Sequence, residues 1–274
     1  MQKPPIVFVH GAFVTRKCWD PWVRRFEALG HRCVAPAYPH RDAEPAVLRA
    51  RHPDPATAAV TLPAVIEVFE RAIRACDAPP IVIGHSFGGL LTQILLQRQL
   101  GACGVAIDSV PPPGVLSFKW SFLRSTWPAL TPFVSANRPY LMSLDHFRYA
   151  FVNTLPPAEQ QRHWEEQVVP ESRRFARAGL GRGARVDFRK SRPPLLLIAG
   201  EKDHIIPASL NRTNWRAYRR SPAHTDFHEF AGRDHFLLGT RGWEEVADHS
   251  LHWALDAIAT PAKAGAAAPA AHTG

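Results

Sequence analysis

The chain has 274 residues, 46% of them hydrophobic, which is enough for one α/β domain that carries an insertion. Its net charge is +9, but the arginines are spread from Arg16 to Arg241 without a dense basic run or an aromatic RNA-binding motif, which argues against nucleic acid as a partner. No apolar run approaches the ~20 residues that a membrane span needs, so no membrane partner is expected.

The cysteine pattern and the amino terminus both indicate a reduced compartment. The cysteines form no C-x-x-C pair, which favours buried free thiols over a disulfide framework or a metal site: they are Cys18, Cys33, Cys76 and Cys103. The first residues lead directly into a strand and lack the features of a signal peptide. We therefore expect a cytoplasmic protein.

Short apolar runs alternate with helical patterns along most of the chain. The runs predict strands over 6–9, 31–35, 81–83, 105–108, 195–198 and 224–230. Amphipathic periodicity predicts helices over 19–29, 55–76, the stretch after Gly89 through Leu96, 207–219 and 242–259. Asp54 is the expected N-cap of the second helix, Pro63 its expected kink, and 37–53 a polar loop. This alternation predicts an α/β fold with a mainly parallel sheet between two layers of helices.

The segment 115–190 breaks the alternation, because it is rich in aromatic residues and contains no evident strand. Short helices are expected there over 116–126, 139–153, 157–168 and 171–179. The core is then formed by 1–114 and 191–259, while the Ala/Pro-rich tail 260–274 is expected to be disordered.

The stretch Gly84-His85-Ser86-Phe87-Gly88 fits G-x-S-x-G and lies between a predicted strand and a predicted helix. A serine on such a sharp turn projects its hydroxyl above the sheet, and the turn needs small residues two positions before and after it. We therefore predict that Ser86 is a nucleophile, with Gly84, His85 and Gly88 forming its turn.

A serine hydroxyl needs a base and an acid that orients the base. His235 lies in a Gly-containing loop between the last strand and the last helix, and Asp203 follows the strand at 195–198, which gives the order Ser, acid, His. Asp108, after the preceding strand, is the alternative acid, and Glu201 and Asp234 are weaker candidates.

Acyl transfer also needs hydrogen-bond donors for the developing oxyanion. The backbone N–H of Phe87, directly after the nucleophile, is one predicted donor. The loop after the first strand offers the other, from Ala12 or Phe13, and Gly11 allows the backbone to approach closely.

The stretches FVHGAF, GHSFGG, AGEKDHIIP and GRDHF resemble those of the α/β-hydrolase superfamily, and the resemblance covers about residues 5–259. It implies a minimal sheet of six strands, with 115–190 as an inserted helical cap. Haloalkane dehalogenases and epoxide hydrolases of this fold carry aspartate where this chain has Ser86. Hydroxynitrile lyases carry lysine and threonine where it has Phe236 and Gly11.

The resemblance therefore implies a serine hydrolase that needs no metal or organic cofactor and cleaves carboxylic esters of small to medium apolar or aromatic compounds. Lactonase, thioesterase or perhydrolase activity on the same residues remains open, as does a non-catalytic ligand-binding protein of this fold. A monomer and a homodimer fit equally well. Four cap aromatics are candidate pocket residues: Trp120, Phe122, Trp127 and Phe147.

Overall fold

The computed structural model describes residues 3–116 and 119–260. Its centre is a sheet of six strands that all run parallel, in the order β2-β1-β3-β4-β5-β6, which confirms the predicted α/β fold. The strands are β1 Ile6–Val9, β2 Cys33–Val34, β3 Ile81–His85, β4 Cys103–Ile107, β5 Leu195–Gly200 and β6 Thr225–Phe230.

Helices connect these strands and cover both faces of the sheet. They are α1 Asp20–Ala28, α2 Pro45–Ala50, α3 Pro55–Ala59, α4 Leu62–Arg74, α5 Phe87–Gln97, α6 Trp120–Leu130, α7 Leu144–Ala150, α8 Pro157–Gln167, α9 Arg173–Ala178, α10 Ala208–Ala217 and α11 Trp243–Ala259. The chain order reverses between β1 and β3, so β3 ends at the point in the sheet where crevices for ligands usually form.

Successive side chains of each strand lie on opposite faces of the sheet and contribute to two separate hydrophobic cores. Phe8 and Ile83 face the core that contains Trp22, whereas Val7 and Val82 face the other core. All of these side chains are fully buried. Both faces of every central strand are covered, so these strands consist of continuous apolar residues. Such runs can be recognised in the sequence, which is why these strands were predictable.

The region before β3 differs from its prediction in two places. The predicted loop 37–53 contains helix α2, and the single helix predicted from Pro55 is two helices, α3 and α4. The chain is extended at Thr61, whose side chain accepts a hydrogen bond from the Ala64 N–H at 3.4 Å and so caps α4. Pro63 therefore lies in the first turn of a new helix, where its missing N–H costs nothing, and it is not a kink.

Four helices, α6 to α9, lie between β4 and β5 in the part of the chain that the structure describes. We call residues 115–190 the inserted segment. The predicted disordered tail, apart from Thr260, lies outside the described residues. Among residues 3–116 and 119–260, no helix is both long and apolar enough to cross a membrane.

Candidate active site

Ser86 lies at the junction of β3 and α5 with a left-handed backbone, at φ +56°. The two glycines around it are needed because the chain is crowded there. A Cβ on Gly84 would lie 2.1 Å from the Gly88 carbonyl oxygen, and one on Gly88 would lie 2.0 Å from the Val9 carbonyl oxygen. The sequence G-x-S-x-G therefore gives a strained turn that places Ser86 at the carboxyl edge of the sheet, where it lines a cavity.

A chain of hydrogen bonds joins Ser86, His235 and Asp203. The Ser86 Oγ lies 3.0 Å from the His235 Nε2, and the His235 Nδ1 lies 2.7 Å from the Asp203 Oδ2. The side chains of His235 and Asp203 are fully buried. With Nδ1 donating to the carboxylate, Nε2 is left as the acceptor for the serine hydroxyl.

Backbone groups fix the orientation of both buried partners. The second oxygen of Asp203, Oδ1, accepts hydrogen bonds from the N–H groups of Ile205 at 2.7 Å and Ile206 at 2.8 Å. The Nε2 of His85 donates to the carbonyl oxygen of His235 at 2.7 Å. His85, predicted only as part of the serine turn, therefore also holds the histidine loop. Burial, and next the proximity of His235, lower the pKa of His85 well below its ordinary value.

Asp108, the alternative acid, is fully buried but makes no hydrogen bond to His235 among the described residues. Its Oδ1 accepts a hydrogen bond from the Gly200 N–H at 2.7 Å, and its carboxyl lies next to that of Asp203. Burial raises the pKa of Asp108 well above its ordinary value, and the neighbouring Asp203 carboxylate raises it further. Asp108 therefore lies beside the carboxylate that contacts His235, in surroundings that disfavour its own negative charge.

The two weaker acid candidates also lie away from the His235 ring. Glu201 accepts a hydrogen bond from the Gly232 N–H at 2.8 Å. Asp234 accepts from the Thr154 hydroxyl at 2.5 Å and from the Phe236 N–H at 3.2 Å, so it connects the histidine loop to the inserted segment.

His85, Asp108 and His235 bring ligand atoms within 4.8 Å of one another, close enough to hold a metal ion. His235, however, already uses both ring nitrogens for Asp203 and Ser86. A cation bound there would have to break that hydrogen-bonded chain.

The predicted oxyanion donors differ in availability. Among the described residues, no hydrogen bond engages the N–H of Phe87 or that of Ala12. The Phe13 N–H, in contrast, donates to the Glu171 Oε2 at 3.2 Å, so it is not free for an oxyanion. Of the two loop candidates, Ala12 is therefore the one whose N–H has no partner among the described residues. The N-terminus of α5, which starts at Phe87, adds its positive dipole end at the same place.

Sequence reasoning missed Glu171 and Arg41. The two form an ion pair, and each side chain is only 1% exposed. Glu171 also accepts a hydrogen bond from the Ser172 N–H at 2.7 Å. Burial raises the pKa of Glu171, while Arg41 and these backbone donors act in the opposite direction. A lone acid in an arginine-rich stretch carries no recognisable sequence signal, since its partners lie far away in the chain.

An apolar cavity of about 340 Å³ opens beside Ser86. Its walls come from the loops around Ala12 and Ser86, from Val110–Leu116, and from the inserted segment. None of the described residues that line it is charged. Phe122 lines this cavity as predicted.

The other three predicted pocket residues do not line the cavity. Trp120 and Trp127 are 73% and 56% exposed on the outer face of α6, and Phe147 is fully buried in the core. The aromatic content of the inserted segment does not predict which face of a helix each aromatic residue occupies.

Sequence comparison identifies the family. The profile described as the Alpha/beta hydrolase family matches residues 6–249. No curated protein sequence matches this chain.

Solved structures of low sequence identity share the fold. One is a monoacylglycerol lipase from Paleococcus ferrophilus, with 17% identity and a TM-score of 0.66, covering 93% of this chain and 96% of that one. Another is a pyrethroid hydrolase from Sphingobium faniae JZ-2, with 19% identity and a TM-score of 0.65, covering 92% and 97%. A methylesterase from Arabidopsis has 13% identity and a TM-score of 0.63, covering 93% and 100%. With the family profile spanning nearly all of the sheet and its helices, the chain belongs to the alpha/beta hydrolase family.

Proposed function

We propose that this protein is a serine hydrolase that cleaves carboxylic esters of small to medium, uncharged, apolar or aromatic compounds. The observation that carries the proposal is the hydrogen-bonded chain from Ser86 through His235 to Asp203, which ends at the wall of an apolar cavity. Such a chain converts a weakly nucleophilic hydroxyl into a reactive one.

The first step acylates the serine. The Ser86 Oγ attacks the ester carbonyl carbon while the His235 Nε2 takes the hydroxyl proton, and Asp203 stabilises the imidazolium that forms. The negative charge that develops on the carbonyl oxygen is held by the N–H groups of Ala12 and Phe87. The bond from carbon to the alcohol oxygen then breaks, and His235 gives its proton to the leaving alcohol.

The second step releases the acid. His235 takes a proton from water, the resulting hydroxide attacks the acyl carbon, and the same two N–H groups hold the oxyanion again. The bond from carbon to the Ser86 Oγ breaks, and the proton returns to the serine. Every proton in this cycle moves through one nitrogen of one histidine, so no metal or organic cofactor is required.

The lining of the cavity supports the substrate class. A charged acyl or alcohol group would lose its hydration there without gaining a partner, which is a large cost. The volume of about 340 Å³ lies at the small end of ordinary ligand pockets. The names of the similar structures, a lipase, a methylesterase and a pyrethroid hydrolase, agree with an ester substrate.

The inserted segment acts in this proposal as a cap over the cavity. Phe122, Ala129 and Leu180 from this segment line the cavity together with Ser86 and Phe87 of the core. Substrate selection then depends mainly on α6 and α9, while the chemistry depends on the strand ends.

The test is hydrolysis of p-nitrophenyl acetate, butyrate, octanoate and palmitate by the wild type beside Ser86→Ala. We expect repeated turnover with an optimum at a short or medium acyl chain, and loss of turnover in Ser86→Ala with an unchanged melting temperature. Release of at most one equivalent of p-nitrophenol would contradict esterase function and favour a ligand-binding protein. Turnover only with lactones or thioesters would keep the mechanism but change the substrate class.

A further inference from the structure

The inserted segment exposes most of the large apolar side chains that face solvent. Six of the nine such side chains in the described part of the chain belong to it, and we call these six the apolar patch: Leu116, Trp120, Leu123, Trp127, Phe133 and Leu180. Their exposed fractions range from 43% at Leu123 to 87% at Phe133. A concentration of exposed apolar side chains in one segment is unusual for a protein surface and can mark a contact site.

Helix α6 is apolar on two opposite faces. Its inner face places Phe122 and Ala129 against the cavity, whereas Trp120, Leu123 and Trp127 follow one another along the outer face at a helical spacing. The ring of Trp127 also contacts that of Phe133, with centroids 6.3 Å apart. A surface helix normally turns polar residues outward, so the apolar outer face of α6 indicates that it contacts a binding partner and not only water.

The two sequence stretches that carry the patch are basic and contain no acid, although Glu201 and Glu229 of the core line a pocket with Lys119 and Ser121 at the start of α6. Between Asp108 and Asp145 there are three basic residues and no acidic one, and between Glu171 and Asp187 there are five basic residues and no acidic one. The two stretches meet in space, because the Arg177 Nη2 donates to the Val134 carbonyl oxygen at 2.6 Å. Arg173 is buried, whereas the other seven basic side chains of the two stretches are exposed or half-buried. A surface that combines apolar area with this positive charge is complementary to a lipid bilayer, which is apolar inside and anionic at its headgroups.

The patch also borders the cavity. Leu116 and Leu180 both line the cavity and are 72% and 63% exposed. A compound that leaves an apolar phase at the patch therefore reaches the cavity beside Ser86 without crossing bulk water.

We propose that the apolar patch and its basic surroundings dock this protein on an anionic lipid surface, with the tryptophans of α6 in the headgroup region. Tryptophan is favoured at that depth because its ring is apolar and its N–H is polar. Arginines near an anionic bilayer each add a favourable electrostatic contribution. The absence of a spanning segment, from which no membrane partner was expected, does not bear on a helix that lies in the plane of the surface.

A second copy of the chain fits the same surface less well. Pairing two patches would bring the same basic stretches of both copies together, and no acidic residue within either stretch is present to offset them.

The test measures binding to vesicles by sedimentation, using Ser86→Ala so that the result does not depend on hydrolysis. The vesicles are phosphatidylcholine alone and phosphatidylcholine mixed with phosphatidylglycerol. We expect binding to the mixed vesicles, weakened at high salt. Trp120→Ser/Trp127→Ser in the same background should bind about tenfold or more weakly, because two large apolar side chains are lost. Leu29→Ser and Ile258→Ser, which remove exposed apolar residues elsewhere, are matched controls and should bind normally.

Three outcomes would overturn the proposal: no binding to mixed vesicles, equal binding by the tryptophan variant, or an equal loss in the controls. Light scattering that shows a dimer which the tryptophan variant abolishes would assign the patch to a second copy instead. With Ser86 intact, the tryptophan variant should hydrolyse dissolved p-nitrophenyl butyrate at the wild-type rate, since neither ring lines the cavity.

Discussion

The N–H of Phe13 donates to the carboxylate of Glu171 at 3.2 Å, across 158 positions of the sequence. The carbonyl oxygen of Phe13 accepts from the Val169 N–H at 2.8 Å. The inserted segment thus holds Phe13 on both sides, at a left-handed φ of +67°. Ala12, whose N–H is the proposed oxyanion donor, is the preceding residue, so its direction depends on these two contacts.

Loss of the Glu171 carboxylate should lower kcat more than it changes KM. Glu171→Leu alone leaves Arg41 as a buried, unpaired charge and should destabilise the fold by about 3–5 kcal/mol. The double variant Arg41→Met/Glu171→Leu removes both charges and should fold, yet it lacks the acceptor for Phe13. We expect its kcat to fall by about tenfold to 100-fold, less than the loss of an oxyanion donor itself.

The affinity for a trifluoromethyl ketone inhibitor shows whether Glu171 positions the Ala12 N–H or only stabilises the fold. That affinity should fall in parallel with kcat/KM, because the adduct carries the same oxyanion. Glu171→Gln keeps an oxygen acceptor for the Phe13 N–H and should retain more activity than the double variant. A double variant with unchanged kcat and raised KM would show that Glu171 does not position the donor.

Asp203 and Asp108 should respond very differently to conversion to asparagine. Asp203→Asn removes the charge that orients His235 and should lower kcat by about 10⁴. Burial and the Asp203 carboxylate raise the pKa of Asp108 and disfavour its charge, and its Oδ1 bonds to the Gly200 N–H, whereas His235 bonds to Asp203, so Asp108→Asn should cost less than about tenfold. The measurement is kcat of both variants on p-nitrophenyl butyrate. A larger loss in Asp108→Asn than in Asp203→Asn would make Asp108, at the end of β4, the acid that orients His235.

The stability of the protein should depend on pH through His10. Its Nδ1 donates to the Gly11 carbonyl oxygen and its Nε2 accepts from the Tyr38 N–H, so only the neutral ring fits. Burial, with smaller contributions from Arg41 and Arg16, lowers the pKa of His10 to about 3. Between pH 6.5 and pH 3 the unfolded chain therefore binds a proton that the folded one does not. The His10 contribution to stability is present above that range and falls by about 1.4 kcal/mol per pH unit within it.

Other buried groups with shifted pKa values also make stability depend on pH, so His10→Asn is the control for this effect. Asp108 and Glu171 have raised pKa values and oppose the His10 effect on acidification. The difference in unfolding free energy between wild type and His10→Asn cancels their contributions. That difference, from urea unfolding at pH 7, 6 and 5, should shrink below pH 6.5, whereas parallel curves would contradict the assignment.

A larger residue at position 129 should shorten the preferred acyl chain. Ala129 is 6% exposed and lines the cavity from α6, so Ala129→Leu fills part of the space beside Ser86. We expect the chain-length optimum to move to a shorter ester, with fluorophosphonate labelling of Ser86 retained. Ala28→Leu, at the exposed end of α1, is the matched control. An unmoved optimum would exclude this part of the cavity as the acyl site.

The sequence predicted the sheet well because buried parallel strands are continuous apolar runs that end at turn residues. Ser86 and Asp203 follow such strand ends, His235 follows the half-buried edge strand β6, and the structure joins the three by hydrogen bonds. Their catalytic roles stay a prediction until the variants are measured.

The errors came from contacts that no local pattern records. Helix α2 is only six residues long and gives too little periodicity to recognise. The break at Thr61 depends on one side-chain cap, which competes with an otherwise continuous helical pattern. Trp120 and Trp127 were placed in the pocket because aromatic residues are usually buried, whereas the structure turns them outward.

The contacts of Phe13 limit which inserted segments from related proteins could replace residues 115–190. Ser86, Asp203 and His235 all lie outside the inserted segment, so that segment looks like a part that recombination could replace freely. It nevertheless supplies the carboxylate of Glu171 and the N–H of Val169, and the core supplies Arg41 to neutralise Glu171. A foreign segment without an acid at that place would leave the buried Arg41 unpaired and would remove the support of the loop that holds the proposed oxyanion donor. The inserted segment and Arg41, which lies more than a hundred residues earlier in the chain, therefore have to be exchanged together.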